Sequence, residues 1–320
     1  MRLLIFTDLN NAVTTRLIDA TLRLARERGG MEVGGIVTSK PDEFRPDRRA
    51  TVKRLARRAL VAAANPVEAF RTFRTEPVDL FPRRHRQDIL ILVPPKGDPN
   101  DAAFRSRLAD EVKADVALSY YSLRLFKRPL LETFRQAVNF HNGLLPWYKG
   151  MMATSFSIYF GEPRAGYTFH RMTEELDGGP ILVQDSVAIV DGDSLREVTS
   201  RLAAQAARDL PRVLDMVATG DPGRLQTGAG SYFSRHDVKA IMRIEHPGQH
   251  NADELQRRLR AFGTLDITID GVRYPVTRLR TTAPGRPLAF RTAEGIVLAP
   301  DRLDQIPAFL YRLRRAARPK

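Results

Sequence analysis

The sequence predicts an α/β protein: a Rossmann-like, mostly parallel sheet followed by a small, mostly β C-terminal domain. Three observations predict it. From residue 2 to 219, short apolar runs alternate with helix-spaced segments, as a helix-covered parallel sheet requires. A Gly- and Pro-rich stretch, "TGDPGRLQTGAG" (219–230), then interrupts the pattern. After it, "DITIDGVRYPVTRL" alternates about Asp270-Gly271, a strong hairpin signal. On this reading residues 1–220 are the first domain, 221–230 the linker and 231–320 the second domain.

"RLLIFT" (2–7) is the continuous apolar run of a buried strand. Residues 12–28 place Leu17, Ala20, Leu22 and Leu24 in a helical pattern. "MEVGGIVTS" (31–39) is a second strand, and "SKPDEFRPDRR" has the composition of a loop. "TVKRLARRALVAAA" (51–64) reads as a basic amphipathic helix, whereas 65–87, with Phe70, Phe73, Leu80 and Phe81 among arginines, fits no single period. "ILILVPP" (89–95) and "ADVALSYY" (114–121) are strands around a helix over 100–113, and a helix over 126–136 leads into the strand "AVNFH". "AGYTFHRM" and "ILVQDSVAI" are strands, and 193–219 is a long amphipathic helix. In the second domain 252–262 is a short helix, and "LAFRTAEGIVLAP" turns at a glycine like the hairpin before it.

Composition narrows the functional classes. The chain has 320 residues, 43% hydrophobic and 28% charged, with no apolar run of membrane-spanning length. "MRLLIFTDLNN" reads as a first strand rather than a signal peptide, and a cytoplasmic protein is expected. The absence of cysteine removes disulfides, thiol catalysis and thiolate metal sites. A net charge of +14 suits an anionic partner such as RNA or a nucleotide, but the arginines are spread along the chain, so a solubility role stays open. The basic residues are densest over 40–86 and in the C-terminal "YRLRRAARPK".

The stretch "AVNFHNGLLPWYKG" (137–150) carries the chemistry. A plain core strand needs no polar side chains at alternate positions, yet Asn139 and His141 fall two apart and so share a face at the strand's end. In open parallel sheets that end is where ligands bind. Downstream, "TEELDGGPIL" (173–182) sets Asp177 before a Gly178-Gly179-Pro180 turn, from which a carboxylate can approach a strand-end histidine.

Taken together, "NFHNGLLPWYKG", "GEPRAGYTFHRM" and "ELDGGPIL" resemble the family of formyltransferases that use 10-formyltetrahydrofolate. The resemblance is densest over 114–184 and extends over 1–220. It implies the formyltransferase fold, Asn139, His141 and Asp177 as catalytic residues, and N10-formyltetrahydrofolate as co-substrate, with no metal. It also implies a folate site with one wall at Tyr121, Ser122, Leu123 and Leu125, contacting mainly through backbone, and another at Thr173, Glu174, Glu175 and Leu176. In that chemistry an amine attacks the formyl carbon. Asn139 and a protonated His141 would face the oxyanion, and Asp177 would raise the proton affinity of the imidazole.

The acceptor is the open question. Where the family has Pro-Ser after the histidine, this chain has Asn142-Gly143. Relatives acting on initiator tRNA commonly carry Trp where Phe156 stands, and Tyr232, Phe233 and Arg235 resemble the sugar-nucleotide enzymes. The expected acceptor is therefore the primary amine of a nucleotide-linked amino sugar. Methionyl-tRNA is the alternative, kept by the basic segment 40–64, and a non-enzymatic RNA-binding role ranks third. A homodimer stays open. Of the other histidines, His246 and His250 flank Pro-Gly and read as a surface loop rather than a metal pair, His170 as a core or supporting strand residue, and His85 as solvated. Gly228-x-Gly230 reads as a loop.

Overall fold

The computed structural model describes residues 1–9, 11–41, 44 and 89–300. The expected basic helix 51–64, the stretch 65–87 with His85, and the C-terminal basic cluster lie outside the described residues. The chain divides into two compact units that do not follow chain order. One comprises 1–149, 166–187 and 199–231, and the other 150–165, 188–198 and 232–320.

The first unit is built on strands β1 (Arg2–Phe6), β2 (Glu32–Val37), β3 (Ile91–Leu92), β4 (Val116–Tyr120), β5 (Gln136–His141), β7 (Arg164–Arg171) and β8 (Ile181–Ala188). They form a sheet in the order β3-β2-β1-β4-β5-β7-β8, which does not include the short β6 (Lys149–Gly150). The pairs from β3 through β5 are parallel, and β7 runs antiparallel to β5. The order reverses at β1, between β2 and β4, so the crevice beyond the ends of β1 and β4 is the ligand-binding position of such sheets. Leu3, Leu4 and Ile5 are wholly buried; each burial stabilises the fold by about 1.5–3 kcal/mol. Leu4 and Phe6 pack with Val37, Leu92, Phe104, Phe126 and Phe134 on one face of the sheet.

Helix α1 (Ala12–Glu27) starts with a reciprocal cap. Asn11 Oδ1 accepts from the backbone of Val13 and Thr14 at 3.0 and 2.9 Å, and Thr14 Oγ1 accepts from Asn11 N at 3.0 Å. The helix buries Val13, Leu17, Ile18 and Leu24.

Three sequence expectations shorten. The strand over 89–95 is only Ile91–Leu92, because Pro94 and Pro95 end it. The helix over 100–113 is α2 (Ala102–Arg107) followed by a wider turn that closes at Lys113. The helix over 126–136 is the single turn α3 (Arg128–Leu131). Phe126, Leu130 and Phe134 are spaced four apart and buried, which imitates a helix, but only Leu130 lies in one.

After α4 (Ala153–Phe160) come α5 (Leu195–Thr219), β9 (Tyr232–Phe233), α6 (Arg235–Met242), β10 (Arg243–Ile244) and α7 (Ala252–Phe262), and in the second unit α4 packs against α7. Phe156 is wholly buried, stacked on Phe233 with ring centroids 3.9 Å apart and edge-on to Phe262. The hairpin of β11 (Leu265–Ile269) and β12 (Val272–Val276) turns at Asp270 and Gly271, both with positive φ. Its inward side chains, Leu265, Ile267, Ile269, Tyr274 and Val276, form a core with Leu255 and Leu259 of α7. Strands β13 (Leu279–Thr281), β15 (Val297–Pro300) and β14 (Phe290–Arg291) form a further antiparallel sheet. Among the described residues no helix is long and apolar enough to cross a membrane.

The α1 cap gives a stability prediction. Asn11→Ala should lower unfolding stability by about 1 kcal/mol, read as a lower urea midpoint at unchanged slope.

Candidate active site

The ends of two strands, β5 and β7, and the turn after β7 build the site, all within the first unit. β5 delivers Asn139 and His141 on one face. The register of β5 and β7 sets Asn139 opposite His170 and His141 opposite Thr168. The turn after β7 delivers Asp177, whose φ of +53° is left-handed and whose backbone is followed by Gly178 and Gly179. Only a residue without Cβ fits at Gly179, since a Cβ there would lie 1.9 Å from the Arg171 carbonyl oxygen.

The hydrogen bonds assign the protons. His170 Nδ1 lies 2.8 Å from the Arg171 carbonyl oxygen and must donate to it. In neutral His170, Nε2 is therefore the acceptor, and it receives the Asn139 amide N–H at 3.1 Å. That contact orients the Asn139 amide and leaves its second N–H to donate elsewhere. His141 Nε2 lies 2.7 Å from the Tyr148 carbonyl oxygen and donates to it. Its Nδ1 faces Asp177 Oδ2 at 3.6 Å, and Asp177 Oδ1 lies equally far, 3.6 Å, from His170 Nε2. The carboxylate thus sits between two imidazoles. His141, His170 and Asp177 are all buried.

Burial holds the His141 imidazole below its ordinary value, and the Asp177 carboxylate pulls it only part of the way back. The same burial disfavours the protonated His141 expected to face the oxyanion. Burial thus favours the neutral ring, whose Nε2 donates to the Tyr148 carbonyl while Nδ1 faces the carboxylate. Protonation at Nδ1 would place the new charge 3.6 Å from the Asp177 carboxylate, which offsets part of the cost of burial. The amide N–H of Asn139 is the donor left for a developing negative charge.

The residues expected to hold the cofactor lie on two segments. Tyr121, with φ of +60°, Ser122, Leu123 and Leu125 follow β4 at the crevice. Leu123 and Leu125 are 57% and 64% exposed and so offer apolar surface there. Burial raises the Tyr121 phenol well above its ordinary value, so it stays neutral. Thr173, Glu174, Glu175 and Leu176 are exposed on the loop that precedes Asp177. Glu175 pairs with Lys149 at 3.0 Å, and its carbonyl accepts from Gly178 N at 3.2 Å.

Sequence reasoning missed Asp8. It follows β1, is 2% exposed and ties three strand ends together. Its Oδ1 accepts from Ser39 N and Oγ at 2.7 and 2.6 Å, and its Oδ2 from Leu123 N at 2.8 Å. Asp8 N donates in turn to the Tyr121 carbonyl at 3.2 Å. The visible signal was an acid separated only by Thr7 from the apolar run Leu3–Phe6. Elsewhere, His250 pairs with Glu254 at 3.1 Å, and no cluster of His, Asp or Glu suited to a metal is found among the described residues.

The chain is similar to known formyltransferases. GDP-perosamine N-formyltransferase of Brucella melitensis is 36% identical over 99 residues, 31% of this chain and 38% of that protein. The match thus spans well under half of the curated relative's length. A sugar N-formyltransferase from a Shewanella species superposes with a TM-score of 0.61 at 18% identity, covering 87% of this chain and 97% of that one. HypX from Aquifex aeolicus, solved in complex with tetrahydrofolic acid, superposes with a TM-score of 0.58 at 14% identity, covering 93% of this chain and 43% of that one. The family model described as formyl transferase matches residues 21–214, more than half of the chain and the span that carries β5, β7 and the Asp177 turn. The chain belongs to the formyl transferase family.

Proposed function

We propose that the chain transfers the formyl group of N10-formyltetrahydrofolate to the primary amine of a nucleotide-linked amino sugar. The observation that carries this reading is the buried His141, set at a strand end between the Tyr148 carbonyl and Asp177, with the Asn139 amide on the same face. The names of the Brucella and Shewanella relatives support a sugar acceptor, and the tetrahydrofolic acid in HypX supports the folate. A cytoplasmic location belongs to the same reading.

The residues present fit a folate. The loop 121–125 offers backbone groups and exposed leucines, pinned in place by Asp8, and Leu176 adds apolar surface on the second segment. When bound, the co-substrate supplies an electrophilic formyl carbon. The attacking amine must lose a proton, and the folate nitrogen must gain one as its bond to carbon breaks. Neutral His141 with Asp177 takes up the first and can return it for the second. The free N–H of Asn139 donates to the formyl oxygen as negative charge develops there.

The function is tested by incubating the protein with 10-formyltetrahydrofolate and either nucleotide-linked 3- and 4-amino sugars or methionyl-tRNA, following release of tetrahydrofolate. Turnover with a sugar is expected; turnover with the tRNA alone would replace the acceptor. Asn139→Ala, His141→Ala and Asp177→Ala should each lower kcat by about two orders of magnitude or more. Because the working form of His141 is neutral, the rate should fall on the acid side, with a midpoint below the 6.5 of a free imidazole. Asp177→Asn should move that midpoint lower still, since it removes the charge that favours the imidazolium. Asp8→Asn should raise the KM for the folate roughly tenfold, the effect of about 1.4 kcal/mol lost in holding Leu123 N.

A further inference from the structure

We infer that the segment joining α5 (Leu195–Thr219) to β9 (Tyr232–Phe233) is a strap that positions both partners of His141, through Gln226 on the Asp177 side and Ser231 on the Tyr148 side. By composition this segment is a plain linker. In the structure it is stitched, residue by residue, to the two turns of the site, and all of these contacts lie within the first unit.

The strap is anchored before it reaches the site. The Asp221 carbonyl accepts from the Arg171 guanidinium. Arg224 and Ile181 exchange backbone hydrogen bonds of 2.8 and 2.7 Å, adding the strap to the start of β8. Gln226 then reaches the Asp177 turn, where its Nε2 donates to the carbonyls of Asp177 and Gly179 at 2.7 and 2.8 Å. One amide group thereby pins the residue before and the residue after Gly178, in a backbone stretch whose first residue is left-handed. Its own Oε1 is buried and has no hydrogen-bond partner among the described residues. The side chain accepts that cost, so its orientation serves the two carbonyls.

At the far end Ser231 Oγ accepts from Tyr148 N at 2.8 Å. The Ser231 carbonyl accepts from Lys149 N at 2.8 Å, and Ser231 N donates to the Pro146 carbonyl at 3.2 Å. Gly230, with φ of +68°, makes that approach, since a Cβ there would lie 2.1 Å from the Pro146 carbonyl oxygen. Tyr148 is the residue whose carbonyl holds His141 Nε2. So one strap sets the positions of the carboxylate on one side of the imidazole and the carbonyl on the other. Gln226 and Ser231 are positioning residues: they act through Asp177 and Tyr148.

The inference rests on the proposed formyl transfer for its kinetic readout, and on His141 titration for one that needs no turnover. The variants are Gln226→Met, which keeps the shape and removes both donors, Ser231→Ala, and Ser231→Thr as the variant that retains a hydroxyl. The groups facing His141 are Asp177 and the Tyr148 carbonyl, which favour its protonation, and His170, which opposes it. Loosening either partner should move the His141 NMR titration midpoint down in Gln226→Met and in Ser231→Ala, with Ser231→Thr near wild type. Gln226→Met should lower kcat by about tenfold or more with the folate KM within about twofold, and in an Asp177→Asn background its further effect should vanish. An unmoved His141 titration in folded Gln226→Met, or an equal kcat loss with and without Asp177, would overturn the role of Gln226. Should Gln226→Met not fold, Ser231→Ala decides through the same titration. If the wild type formylates none of the acceptors, the functional reading fails while the titration still decides the strap.

Discussion

The antiparallel pairing of β7 on β5 is the constraint on which the rest of the site depends. Its register puts His170 across from Asn139 and Thr168 across from His141. A slip of one residue would turn every side chain of β7 to the other face. Asn139 would lose the acceptor that orients its amide. Thr168 would lose its bonds to the turn after β5, where its hydroxyl donates to the Gly143 carbonyl at 2.7 Å and accepts from Leu145 N at 3.2 Å. That turn leads to Tyr148 and so to the carbonyl under His141. The close approach at Gly166, where a Cβ would lie 2.1 Å from Leu144 Cγ, helps to hold the register.

The parts of this architecture that were legible in the sequence are those written in local patterns. The apolar run of β1, the helix 252–262 and the Asp270-Gly271 turn depend on spacing within a few residues. So does the shared face of Asn139 and His141, because alternation along a strand is a property of the strand itself. What stayed hidden is joined across the chain. Asp8 meets Leu123 across 115 positions, Gln226 meets Asp177 across 49 and Ser231 meets Tyr148 across 83. None of these pairs has a periodic signature, and Gly and Pro around Gln226 made its segment look like a tether. The helix expected over 126–136 failed for the reverse reason: buried side chains spaced four apart imitated a helix where only a single helical turn forms.

Two opposed forces act on His141, and their order matters more than either alone. Removing an imidazolium from water disfavours the charge, while an adjacent carboxylate and a carbonyl acceptor favour it. With burial winning, the ring is neutral at rest and can act as a base. With the carboxylate already beside Nδ1, the cation meets an opposite charge as it forms. A solvated histidine beside the same carboxylate would rest more protonated and be a poorer base at the outset. A buried one without Asp177 would resist the proton it must take.

This balance holds only while the acceptors keep their distances. At 3.6 Å the Asp177 carboxylate is near enough to bias the ring electrostatically, yet too far for a direct hydrogen bond. A small displacement in either direction changes the outcome. Moving closer would favour a resting imidazolium, and moving away would leave a neutral ring with a weakened partner. A side chain on a left-handed turn followed by two glycines does not hold such a position by local preference alone, because glycine restricts the backbone least. The restraint has to come from outside the turn, and the paired carbonyl contacts of Gln226 supply it where the chain is least able to restrain itself.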